Sequence, residues 1–140
     1  MKKLLVLLLV FSAVACRAES PESPATLDVS DCSDISASAQ VDDCIHREKL
    51  NSQTVLDGGM VQFEAYINDL YEADPALGEQ LIETVAEAQQ AWVAFRDAHC
   101  KVEAFEAEEG TLLQQSLLES CVARMNAERT GYLGRLIEGR

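Results

Sequence analysis

Basic side chains are scarce in this chain: 11 Lys and Arg stand against 24 Asp and Glu, for a formal net charge of −13. A field of that sign repels phosphate backbones and anionic headgroups, so nucleic acid is excluded as a partner and a basic protein is favoured. Strand signals are also missing. No stretch sustains the two-residue alternation of a half-buried strand, and β-branched clusters are few. Arrangements that carry chemistry are lacking as well. The two histidines, His46 and His99, are not placed together by any motif, and neither H-E-x-x-H nor C-x-x-C occurs, which argues against zinc. Asp28, Asp31 and Asp34 are evenly spaced but lack the Gly and terminal Glu of a calcium loop. No serine or cysteine has an evident base beside it. The expectation is a protein without catalytic residues, metal or cofactor, hence not an enzyme.

Long apolar runs are absent except at the start. Lys2 and Lys3 precede the unbroken run Leu4 to Phe11, and the small residues Ala13, Val14 and Ala15 lead to Cys16. That order is a secretory signal. Leu4 to Ala15 is 12 residues, whereas a spanning helix needs about 20, so a removable signal over residues 1–15 is expected. Ala13-Val14-Ala15-Cys16 resembles the lipobox of bacterial lipoproteins, which makes Cys16 the expected lipidation site. Membrane contact would then run through that anchor alone. Ordinary cleavage, leaving a free Cys16 thiol, is the alternative. Loss of Lys2 and Lys3 with the signal brings the net charge near −15.

The cysteine count favours the anchor. Five cysteines are an odd number, and an exported chain sits where disulfides persist. With Cys16 lipidated, Cys32, Cys44, Cys100 and Cys121 remain for two bridges, and four cysteines allow three connectivities. Residues 16–30, rich in Pro, Ser, Glu and Ala, read as a flexible tether. Residues 31–140 then form one small domain, for which two staples compensate a modest core.

The domain reads as all-α: a small antiparallel bundle of about four helices, stapled by two disulfides. A first helix is expected from about Ser36 to Leu56, ended by Asp57-Gly58-Gly59. A second covers Met60 to Tyr71, with Met60, Phe63, Ile67 and Leu70 on one face. Asp74-Pro75 supplies an N-cap and a first-turn proline for the third. Along that helix Leu77, Leu81, Val85, Ala88, Trp92, Phe95, His99 and Val102 recur at helical steps. Ile82, Gln89, Arg96 and Cys100 form a second stripe on one flank, and Glu79, Glu83 and Glu87 lie opposite. Gly110-Thr111 separates it from a fourth helix, about Thr111 to Ile137, with Leu118, Cys121, Met125, Tyr132 and Leu136 inward. In a hairpin turning at Gly110, Cys100 and Cys121 stand at matching heights, about 15 Å from the turn. That favours Cys100–Cys121 and leaves Cys32–Cys44. Packed helix axes lie about 8–10 Å apart, so the hairpin must pinch there, with Ala104 and Ala107 permitting it, or one end must unwind.

The run Ala88 to Cys100 resembles the A-Q-x-x-W-x-x-x-R-D-x-x-C signature of the LprI-type lysozyme inhibitor domain. Ala88, Gln89, Trp92, Arg96, Asp97 and Cys100 carry it. Downstream it extends to Cys121 and to Glu128-Arg129-Thr130 with Leu133; upstream it includes Cys32, Cys44 and Leu50-Asn51. The resemblance covers about Asp31 to Leu136. Asp57-Gly58-Gly59 departs from it by interrupting a region expected to be helical, and the glycine-rich turn before the fourth helix is reduced to Gly110. What it implies is a helical domain of the bacterial envelope, periplasmic or surface-held, that binds and inhibits lysozyme. The alternative is a non-catalytic adaptor of the envelope holding another basic partner.

Individual residues have plainer readings beside these. Trp92 and His99 read first as core, and Gln89, Arg96 and Asp97 as ties between helices. Glu79, Glu83 and Glu87 repel one another at i,i+4, at about 0.2–0.5 kcal/mol a pair. They form a solvated face or an acidic surface for a basic partner. Lys101 and Arg124 are the cations considered for contact with lysozyme's catalytic carboxylates.

Overall fold

The computed structural model describes Cys32 and residues 38–139. The signal, the Cys16 lipidation site and the tether lie outside those residues. Three helices account for the described chain: α1 Ser38–Leu70, α2 Pro75–Glu103 and α3 Leu112–Glu138. Polar pairs between α1 and α3 keep nearly constant sequence separations of 74, 73 and 74, for Asp42–Ser116, His46–Glu119 and Ser52–Asn126. A constant separation means two parallel helices in fixed register. Contacts of α2 with α3 spread instead, from 21 for Cys100–Cys121 to 40 for Gln89–Arg129. So α2 runs antiparallel to both, and α1 packs chiefly on α3.

The expected break at Asp57-Gly58-Gly59 does not occur, and the described residues form three helices where about four were expected. A glycine in a helix interior costs about 1 kcal/mol relative to alanine, yet α1 continues because both sides of the pair are anchored. Leu56 before it is fully buried, and Phe63 and Ile67 after it join the same core with Leu133 of α3. Gly59 faces α3, where a Cβ would stand in ordinary contact with Thr130 Cγ2 at 3.6 Å. Gln53 Nε2 donates to Asp57 Oδ1 at 2.9 Å, bracing the turn before the pair.

The helix ends follow their expected chemistry. The Asp74 carboxylate accepts from the Leu77 amide at 3.3 Å, with Pro75 in the first turn. Thr111 caps α3 by accepting from the Gln114 amide at 3.2 Å. Between α2 and α3 the chain turns through Gly110 at φ 78, the left-handed region where a Cβ is penalised. The bridges Cys32–Cys44 and Cys100–Cys121 are formed, with Cα atoms 5.9 and 5.5 Å apart. Close approach at the second comes from both expected sources: α2 ends three residues after Cys100, and the small Ala104 is buried beside it.

The burial direction of α2 differs from the expected stripe. Gly78, Arg96 and Cys100 are buried, while Leu77, Ala88, Phe95 and Val102 are exposed. At 100° per residue the buried side is turned roughly 70° toward the Ile82–Gln89–Arg96–Cys100 flank. The helix turns because Cys100 is bonded to α3 and Arg96 reaches both neighbours, so these fix its rotation more firmly than apolar count does. Tyr132 and Leu70, expected inward, are also exposed, while Asn126 and Leu133 are buried instead.

Continuity of α1 is testable. Gly58 has open space around its Cα, so Gly58→Ala should raise unfolding stability by about 0.5–1 kcal/mol in urea titration. A loss of stability would place a turn at that position.

Candidate functional site

Two surfaces and one buried cluster hold the residues the sequence singles out. The cluster begins with Arg96, 8% exposed and about two turns before the end of α2. Its Nε and Nη2 donate to Asp97 Oδ1 at 2.9 and 2.7 Å, neutralising the charge with a carboxylate that itself stays in solvent. Its Nη1 donates to Gln53 Oε1 of α1 at 3.1 Å and to Asn126 Oδ1 of α3 at 2.8 Å. Asn126, fully buried, donates in turn to Ser52 Oγ at 3.1 Å and Gln53 Oε1 at 3.3 Å. No buried side-chain polar atom among the described residues lacks a partner. A planar guanidinium with donors in a fixed fork is what permits three helices to meet at one charged group.

Trp92 lies one turn earlier. The Arg96 and Arg129 guanidinium carbons stand 5.5 and 5.6 Å from its ring centre, and Arg129 Nε donates to Gln89 Oε1 at 3.0 Å. The structure thus brings Gln89, Trp92, Arg96, Asp97 and Arg129 together, with Cys100 one turn beyond Arg96, bonded to Cys121. Ala88 is exposed, outside the cluster. Sequence reasoning missed the half-buried Ser52 and Gln53 and the buried Asn126; each is a common polar residue in a helix, with no local signal that it faces another helix. His99, expected in the core, is half-buried at the edge. It stacks on Phe95 and its Nε2 lies 2.8 Å from Glu103 Oε1.

The first surface is the outer side of α2. Glu79, Glu83 and Glu87 are all exposed and form no ion pair among the described residues. The second lies toward the helix's C-terminal end, where Phe95, Val102 and Phe105 are 58%, 72% and 83% exposed. Glu103, Glu106, Glu108 and Glu109 accompany them. Of the two cations considered for partner contact, Lys101 is exposed, whereas Arg124 is engaged by Glu103 at 2.6 Å and Glu128 at 3.4 Å. The Arg124 hydrogen bond holds the Glu103 carboxyl below the usual glutamate range, helped by His99. Among the described residues no group of three or more His, Cys, Asp or Glu side chains is placed to hold a metal ion. No described helix is long and apolar enough to cross a membrane.

Comparison with known proteins accords with this geometry. A family model described as lysozyme inhibitor LprI matches residues 16–133. An uncharacterized protein of Rhizobium meliloti is 33% identical over 75 residues, covering 54% of this chain and 52% of that protein. The chain therefore spans about half the length of that relative. The crystal structure of a DUF1311 family protein from Pseudomonas putida superposes with a TM-score of 0.67 at 24% identity, covering 74% of this chain and 97% of the other. That likeness is one of fold.

The cluster's structural role is testable with Arg96→Met, which keeps the apolar stem and strips Asn126 Oδ1 of its charged donor. Urea unfolding should show a loss of about 2 kcal/mol, the cost of an unmet buried polar group. An unchanged midpoint would remove Arg96 from the fold's determinants.

Proposed function

The chain belongs to the LprI lysozyme inhibitor family, and we propose from that membership that it is an exported envelope protein which binds and inhibits a basic lysozyme. The family match over residues 16–133 carries the reading. The surface supports it in chemistry. The Glu79–Glu83–Glu87 ladder is exposed and forms no ion pair among the described residues, so its field is available to a cationic protein. The exposed Phe95, Val102 and Phe105, farther along the chain, supply apolar area of the kind that interface cores use. Opposite charge steers the encounter and the apolar row holds the complex, which makes association salt-dependent and dissociation less so.

Purified domain in a muramidase assay should inhibit at micromolar concentration. Reversal of the ladder, as Glu79→Lys, Glu83→Lys and Glu87→Lys together, should slow association at least ten-fold at low salt and far less at moderate salt. Absence of inhibition against every basic lysozyme tried would leave the adaptor role, with a different basic partner, as the better account.

Anchorage belongs to the same reading. A lipidated Cys16 with residues 17–30 as tether, up to about 45 Å extended, would hold the domain near the peptidoglycan that lysozyme attacks. Mass spectrometry of the mature protein should find acyl groups on an N-terminal Cys16; an unmodified thiol there would reduce the protein to a freely diffusing inhibitor.

A further inference from the structure

Part of α2's apolar stripe is not consumed by the core. Leu81, Val85 and Ala88 form one wall of an open cleft whose other walls come from α1, with Phe63, Tyr66 and Leu70 among them, and from α3. The cleft has a volume of about 290 Å³, at the lower end of the range for small-molecule sites. Its lining contains no carboxylate, and a single charged residue, Arg129, contributes to it. In a chain of net charge −13 that is a local reversal of sign.

Arg129 is held as a binding group is held. Its Nε is occupied by Gln89 Oε1 at 3.0 Å, and the Trp92 and Tyr132 rings flank its guanidinium carbon at 5.6 and 5.3 Å. Its two terminal nitrogens meet no acceptor and no carboxylate among the described residues. Arg96, by comparison, has every nitrogen engaged. A guanidinium with a free fork presented at an apolar cleft matches a planar carboxylate joined to an apolar chain.

We propose that this cleft binds a free long-chain carboxylic acid, the acyl chain lying between α1 and α2 and the carboxylate paired with Arg129. A neutral amphiphile would fill the apolar walls but leave the fork unmatched. An anionic bilayer is disfavoured because its whole surface, not one headgroup, would have to approach the acidic domain, so the ligand is taken as a monomer from solution. The site is separate from lysozyme capture, and either reading stands if the other fails.

The chain has one tryptophan, Trp92, beside Arg129, so its fluorescence reports on the site directly. The full soluble domain would be titrated with laurate below its micelle concentration, with dodecanol as neutral control, and stoichiometry taken from calorimetry. Saturable one-to-one binding of laurate is expected, with dodecanol at least ten-fold weaker. Arg129→Gln should weaken laurate at least ten-fold. Ala88→Phe fills the cleft from an exposed position and adds no second tryptophan, so it is expected to fold normally by circular dichroism and lose binding. The proposal is overturned by the absence of saturable binding, by equal affinity for laurate and dodecanol, or by unchanged laurate binding in either folded variant.

Discussion

The buried Arg96 guanidinium is the constraint around which the three helices are set. A charge so nearly out of water is tolerable only when each donor is met. Here the acceptors come from α1, α2 and α3 at once, as Gln53, Asp97 and Asn126. Sliding or turning any helix by one residue would remove an acceptor and leave the charge stranded. Apolar packing resists such slips weakly, because one aliphatic side chain substitutes well for another. The core around Leu56, Phe63, Ile67 and Leu133 supplies stability, and the guanidinium supplies register.

The bridges act on the same problem from the ends. Cys100–Cys121 closes the α2–α3 hairpin one turn beyond Arg96, and Cys32–Cys44 ties the segment before α1 to its first turns. Between them the side-chain pairs Asp42–Ser116 and His46–Glu119 continue the parallel register of α1 and α3. With Cys100 bonded and Arg96 clamped on the same side, the rotation of α2 is settled. The apolar residues on its flank are then left partly outside, Phe95 and Val102 among them.

Much of this was legible in the chain, and what was not has a physical cause. Asp74-Pro75 announced its helix start, because capping is local chemistry that needs no tertiary partner, and Gly110-Thr111 marked the turn before α3. The cysteine heights around Gly110 pointed to the right bridge, because a hairpin has simple geometry. Gly58-Gly59 misled because a glycine pair weakens a helix only by about 1 kcal/mol per residue, which the anchored core on both sides outweighs. The orientation of α2 misled because periodicity counts apolar residues, whereas the helix is turned by a disulfide and a buried cation. Ser52, Gln53 and Asn126 left no trace, since a polar side chain becomes a tie between helices only when another helix brings its partner.

The positions that mark the family are for the most part the positions that make the fold. Gln89, Trp92, Arg96 and Cys100 face the other helices or the bridge, and the exposed Asp97 serves Arg96 from the same helix. A motif of this kind carries architecture from one protein to another without carrying the surface that meets a partner. The residues placed to meet one lie elsewhere: the glutamate ladder, the exposed Phe95, Val102 and Phe105, and Arg129 in the lining of the cleft. Arg129 stands on the boundary, because its Nε serves Gln89 while its two terminal nitrogens have no partner among the described residues. A residue divided in that way can persist in a motif for structural reasons and still be the point at which relatives with differently shaped clefts acquire different ligands.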